Sequence, residues 1–162
     1  MKTKIVSMEN FSVTDSGRYG KALEESLTRR PCKKAGVTDW RHNGVRYEIK
    51  SGGGELGNTG RKVLKGCHKI IYIPVPQVID GCMDIRKQEG FIVDRLVFLE
   101  TLKEVGLYKT SKVSSKGDLK ESIETFYVMS KQKWHGAKGP KLIDKLYEVC
   151  EMTLEDFLED DE

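Results

Sequence analysis

Val37-Thr38-Asp39-Trp40-Arg41-His42-Asn43-Gly44-Val45-Arg46-Tyr47-Glu48-Ile49-Lys50 is the stretch that decides the fold. Asn43-Gly44 separates two runs rich in β-branched and aromatic residues. Both residues tolerate positive φ, so the pair predicts a two-residue type I′ hairpin. Counting outward from that turn sets His42 against Val45, Arg41 against Arg46, Trp40 against Tyr47 and Asp39 against Glu48. Side chains alternate along a strand, so Asp39, Glu48 and Lys50 project from one face and Trp40, Tyr47 and Ile49 from the other.

The charged face admits two readings. Carboxylates directly across a ladder lie about 5 Å apart, and at an effective dielectric near 20 they repel by roughly 3 kcal/mol. A divalent cation between Asp39 and Glu48 offsets that repulsion, and oxygen ligands suit Mg²⁺. Lys50, on the same face, would then hold a water or stabilise charge on a phosphoryl group. The alternative is an ordinary solvated surface, with Arg41 and Arg46 pairing diagonally to Glu48 and Asp39 at little energetic gain.

Asp39 followed across a hairpin by Glu48-Ile49-Lys50 resembles the PD-(D/E)XK signature of the restriction-endonuclease-like nuclease superfamily, which includes Holliday junction resolvases and phage recombination nucleases. The resemblance covers about residues 16 to 76. Thr38 stands where many members carry proline, a departure that leaves the ligand residues in place. Members usually carry a glutamate on a helix before the Asp strand, and Gly20-Lys21-Ala22-Leu23-Glu24 resembles that helix. The resemblance implies a mixed central β-sheet flanked by helices and a DNA nuclease using Mg²⁺ or Mn²⁺, acting as an endonuclease or exonuclease. It also implies Glu24 as a third ligand beside Asp39 and Glu48, with the Ile49 carbonyl as a further oxygen donor. Several such nucleases are dimers, so a homodimer is compatible with it.

The 162 residues suit one compact α/β unit with a real core. Residues 1–90 read as the nuclease-like core, 91–150 as a C-terminal extension of helix, hairpin and helix, and 151–162 as an acidic tail. The first ten residues lack a signal-peptide stretch and no run is long enough to span a bilayer, which predicts a cytoplasmic protein without a membrane partner. Cys32, Cys67, Cys82 and Cys150 are too scattered for a zinc or iron–sulfur spacing. The net charge of +3 hides an asymmetry, because residues 151–162 hold seven acidic residues and no basic ones. Without those seven, 28 basic residues face 18 acidic ones, about +10, a balance suited to a polyanion such as DNA.

Along the chain, Lys4 to Ser7 reads as a short strand, and Asp15 or Ser16 as the cap of a helix to about Arg30, with Tyr19, Leu23 and Leu27 as its buried stripe. Ser51 to Gly57 is too glycine-rich for an element interior. Asn58 to Gly66 reads as a short basic helix. Lys69 to Ile73 is a continuous apolar run, the mark of a strand buried on both faces. Gln77 to Glu89 reads as a loop or an irregular helix. Phe91 to Val93 predicts a strand, and Asp94 caps a helix with Leu96, Leu99, Leu102 and Val105 inward and Gly106 at its end. Leu107 to Ser111 and Ser122 to Tyr127 read as two further strands. Pro140 opens a helix through Cys150, and Leu154, Phe157 and Leu158 add a last helical turn.

Arg41, Arg46, Lys62, Lys131, Lys133, Trp134 and Lys138 are the candidate nucleic-acid contacts, since cations beside a stacking ring suit phosphates and bases. For the lysine-rich stretch around Trp134 a solvated loop anchored by the ring is an equal reading. Two alternatives to a nuclease stay open: an inactive nuclease-fold module that binds DNA or a protein, and a structural α/β protein whose hairpin is merely charged.

Overall fold

In the computed structural model of the chain, the described residues are 1–15, 17–31, 40–51, 67–106, 109–115, 118–127 and 138–159. In chain order the elements are β1 (Ile5–Ser7), α1 (Arg18–Thr28), β2 (Trp40–His42), β3 (Val45–Ser51), β4 (Lys69–Ile73), β5 (Val78–Ile79) and β6 (Cys82–Asp84). There follow β7 (Phe91–Asp94), α2 (Arg95–Glu104), β8 (Lys109–Ser115), β9 (Asp118–Tyr127), α3 (Lys138–Val149), β10 (Met152–Thr153) and α4 (Leu154–Glu159).

The protein is a mixed α/β fold around a five-stranded mixed sheet of order β10-β7-β4-β3-β2. Asn43 and Gly44 take φ values of 50° and 78°, the left-handed pair a type I′ turn demands. The hairpin register is the one the turn dictates: His42 faces Val45, Arg41 faces Arg46 and Trp40 faces Tyr47. β4 runs parallel to β3, with Glu48 beside Ile70 and Lys50 beside Tyr72. β7 is antiparallel to β4, and β10 antiparallel to β7. Phe91–Asp94, the first strand of the expected C-terminal extension, is thus an inner strand of the main sheet.

Alternation along β4 and β7 divides the core in two. Ile71, Ile73 and Ile92 pack with Leu23 and Leu27 of α1 and with Leu154, Phe157 and Leu158 of α4. Ile70, Tyr72, Phe91 and Val93 pack on the opposite face with Phe98 and Leu102 of α2 and Leu142 and Leu146 of α3. Such two-sided burial is what an uninterrupted apolar run like Lys69–Ile73 requires.

Several local expectations are corrected. α1 starts at Arg18, after Gly17, whose N–H donates to Asp15 Oδ1 at 2.9 Å. The capping position is therefore Gly17 and not Asp15, and Ser16 lies outside the described residues. Tyr19 is 38% exposed, and the fully buried Ser26 completes the inner face instead, its hydroxyl donating to Lys4 O and accepting from Ile85 N. In α2, Leu96 is 56% exposed while Phe98 is buried. A strict series of every third residue drifts about 60° per step around a helix, so Leu96 and Val105 fall on opposite sides. Asp94 does cap α2, accepting from Leu96 N at 2.9 Å, and Gly106 ends it at φ 73°.

Residues 77–89 are more regular than expected. Asp80 and Gly81, at φ 53° and 71°, turn β5 into β6, and β6 pairs with β1 to give a separate sheet of order β1-β6-β5. β8 and β9 form an antiparallel hairpin longer than the strands the sequence suggested. The described part of the acidic segment is built into the fold: β10 extends the sheet, α4 buries Leu154, Phe157 and Leu158, and Glu151 binds Lys69 Nζ with both carboxylate oxygens. Its acids occupy the outer side of a helix whose apolar positions recur at helical spacing. Among the described residues no helix is long and apolar enough to cross a membrane.

Candidate metal and nucleic-acid site

The hairpin ladder gives each side chain of β2 and β3 its face. Odd-numbered positions of β3 and even ones of β2 meet the α1 and α4 side, where Trp40, His42, Tyr47 and Phe157 form an aromatic cluster with centroid separations from 4.9 to 6.2 Å. Arg41, Arg46, Glu48 and Lys50 project from the other side. Glu48 is only 2% exposed. Lys50 Nζ lies 3.5 Å from Glu48 Oε1 and keeps a quarter of its side chain open to solvent. A nearly buried carboxylate stays charged only with compensation from such a cation or from a metal.

Tyr72 stands beside Lys50 on the same sheet face, fully buried against Phe98 with ring centroids 5.6 Å apart. Burial holds its phenol well above the usual tyrosine range, so it stays neutral. His68 brackets Arg46: its Nδ1 accepts from Arg46 N at 3.0 Å and its N–H donates to Arg46 O at 2.9 Å. That fixes the backbone of Arg46 where β3 and β4 begin to run together.

The other expected site residues divide as follows. Ile49 lies opposite Ile71 in the parallel ladder, its side chain packed on the α1 side. Glu24 sits on α1, which covers the sheet face opposite Glu48 and Lys50, so the face that carries them is not the one α1 buries. Gly20, one turn earlier, abuts the end of β3, since a Cβ there would lie 3.7 Å from Ser51 Oγ. Thr28 Oγ1 donates to Glu24 O, and Glu25 pairs with Lys4 Nζ at 3.2 Å. Lys138 opens α3. Asp39, Lys62, Lys131, Lys133 and Trp134 lie outside the described residues, as do the glycine-rich loop and the basic helix expected over 58–66.

Glu48 and Lys50 are therefore brought together, and Arg41 and Arg46 stand beside them. Among the described residues no three His, Cys, Asp or Glu side chains converge to hold a metal ion. Lys2, Arg29 and Arg30 escaped the sequence reading, although they join Arg41 at one groove. Two arginines directly after an amphipathic helix were the available signal. Comparison of the chain with protein-family models, with curated proteins and with solved structures finds no match.

Proposed function

We propose that the chain is a divalent-metal-dependent DNA nuclease whose site is built on the β2–β3 hairpin. The observation that carries this reading is Glu48, a carboxylate 2% exposed on a sheet strand, with the Lys50 ammonium 3.5 Å away on the same face. A merely solvated charged surface has no reason to bury its carboxylate. The donor set suits a hard cation such as Mg²⁺ or Mn²⁺, because Glu48 offers oxygen and no thiolate or imidazole shares its face of the hairpin. In the proposed site Asp39 would be the second carboxylate ligand and the Ile49 carbonyl a further oxygen donor. The ion would supply acidity to a bound water and neutralise charge on the phosphodiester. Lys50 would orient the attacking water, and the guanidinium groups of Arg41 and Arg46 would hold flanking phosphates.

The test is incubation of the purified protein with single-stranded, duplex and branched DNA in Mg²⁺, Mn²⁺ or EDTA. Metal-dependent products are expected, with Glu48→Gln and Lys50→Ala each lowering the rate at least about 100-fold, the scale of removing one transition-state contact. Cleavage by the folded double variant at the native rate overturns the assignment. The second reading, a nuclease-like fold that binds DNA or a protein without turnover, is favoured by one observation: Glu48 already has Lys50 as a counter-charge. DNA binding without products would establish it.

A further inference from the structure

An open groove of about 440 Å³ runs between the C-terminal end of α1 and the edge strand β2. Lys2, Arg29, Arg30, Trp40, Arg41 and His42 line it, and no Asp or Glu among the described residues does. Lys2, Arg29, Arg30 and Arg41 are exposed, and among the described residues none of the four has an ion-pair partner. Elsewhere the protein places acids beside its cations: Lys4 meets Glu25, Lys21 meets Asp15 and Lys69 meets Glu151.

Two further features mark the groove. Arg29 adopts φ 63°, a left-handed conformation at the helix C-cap that glycine takes without steric cost and other residues take at roughly 1–2 kcal/mol. Arg41 lies directly across the ladder from Arg46, which also has no ion-pair partner among the described residues, and like charges in that position destabilise a sheet. The dipole of α1 accounts for cations at Arg29 and Arg30. It does not account for Lys2, Arg41 and Arg46, which come from other segments.

We infer that this groove binds the phosphate chain of a single-stranded nucleic acid, guided by Lys2, Arg29, Arg30 and Arg41 and passed across the sheet edge by Arg46 toward Lys50. An extended polyanion offsets all five charges at once, whereas a flat anionic membrane does not enter a concavity. The Trp40 and His42 rings, stacked 4.9 Å apart with planes 14° from parallel, form an aromatic wall at which a base can rest. Stacking on these rings needs an unpaired base, which favours a single strand over a duplex. The inference stands apart from catalysis, because binding is read without divalent metal.

Fluorescence anisotropy in EDTA, over a range of salt, tests it with a labelled single strand, a blunt duplex, heparin and anionic vesicles. The variant Arg29→Gln/Arg30→Gln/Arg41→Gln should lose about 30-fold or more in single-strand affinity and flatten the log–log salt slope by about 2, at roughly 0.7 per phosphate contact. Its melting temperature should be unchanged or higher, since exposed, mutually repelling charges are removed. A charge-matched control, Lys87→Gln/Lys103→Gln/Lys145→Gln, should keep most of the affinity. The inference is overturned by unchanged single-strand binding in the groove variant, by an equal loss in the control, or by duplex, heparin or vesicles responding to the groove variant as strongly as the single strand. A failure of DNA cleavage with this binding intact would sink the nuclease reading and leave the groove standing.

Discussion

Glu48 and Lys50 show how much a single residue's place owes to the alternation of a strand: their common face follows from the Asn43-Gly44 turn and nothing more distant. Burial of Glu48 was not legible, because it depends on which elements the sheet later packs against. Gly90 makes the same point from the other direction. No motif marks it, yet a Cβ there would lie 2.7 Å from Tyr72 O, 3.0 Å from Ile73 Cγ1 and 3.3 Å from Leu154 Cδ2. The carbonyl belongs to the β4 backbone and cannot retreat without disturbing the ladder to β7, while Gly90 O itself accepts from Leu154 N at 2.9 Å. Gly90→Ala should therefore cost about 1–3 kcal/mol, the range for overfilling a packed interior. Thermal unfolding should show a melting temperature lower by several degrees, and an unaltered one would mean the backbone gives way more easily than this packing implies.

At the scale of elements, the rule that found one hairpin missed another. Asp80-Gly81 is as good a type I′ signal as Asn43-Gly44, but β5 and β6 have only two and three residues and no alternating run to flag them. Helix α1 was placed correctly and its first turn was not, because the stabilising contacts precede the helix. Asp15 accepts hydrogen bonds from Lys21 Nζ and from Gly17 N, and these, the lysine first, hold its carboxyl below the usual aspartate range. A depressed value in the folded state means the contribution is complete above the unfolded aspartate value and is lost as pH falls through the lower folded one. The melting-temperature gap between the native chain and Asp15→Asn should therefore be widest near neutrality and close on acidification. A gap that persists once Asp15 is protonated would show that the contact does not depend on its charge. Because the Asp15 side chain is only partly buried, the effect should also weaken with salt.

On the scale of the whole molecule, the legible property was charge and the hidden one was connectivity. The acidic run from Glu151 onward reads as an appendage by its charge, and the helical spacing of Leu154, Phe157 and Leu158 marks a turn without showing that it reaches the core. Those three close the core on the side of α1, where Phe157 completes the ring cluster with Trp40, His42 and Tyr47. The Met1 amino group donates to Leu158 O at 3.1 Å, so the segment also meets the start of the described chain. At about 1.5–3 kcal/mol for each buried side chain, removing all three forfeits roughly 5–9 kcal/mol, comparable to the total stability of about 5–15 kcal/mol common for a domain. A chain ending at Cys150 should accordingly lose cooperative unfolding and elute as expanded or aggregated material. Glu155→Gln/Asp156→Asn/Glu159→Gln in the full chain should stay within about 1 kcal/mol of the native protein, since surface substitutions cost little. Circular dichroism melts with size-exclusion chromatography separate these cases. A truncated chain that melts like the full one would mean the strand and helix after Cys150 rest on the core without supporting it.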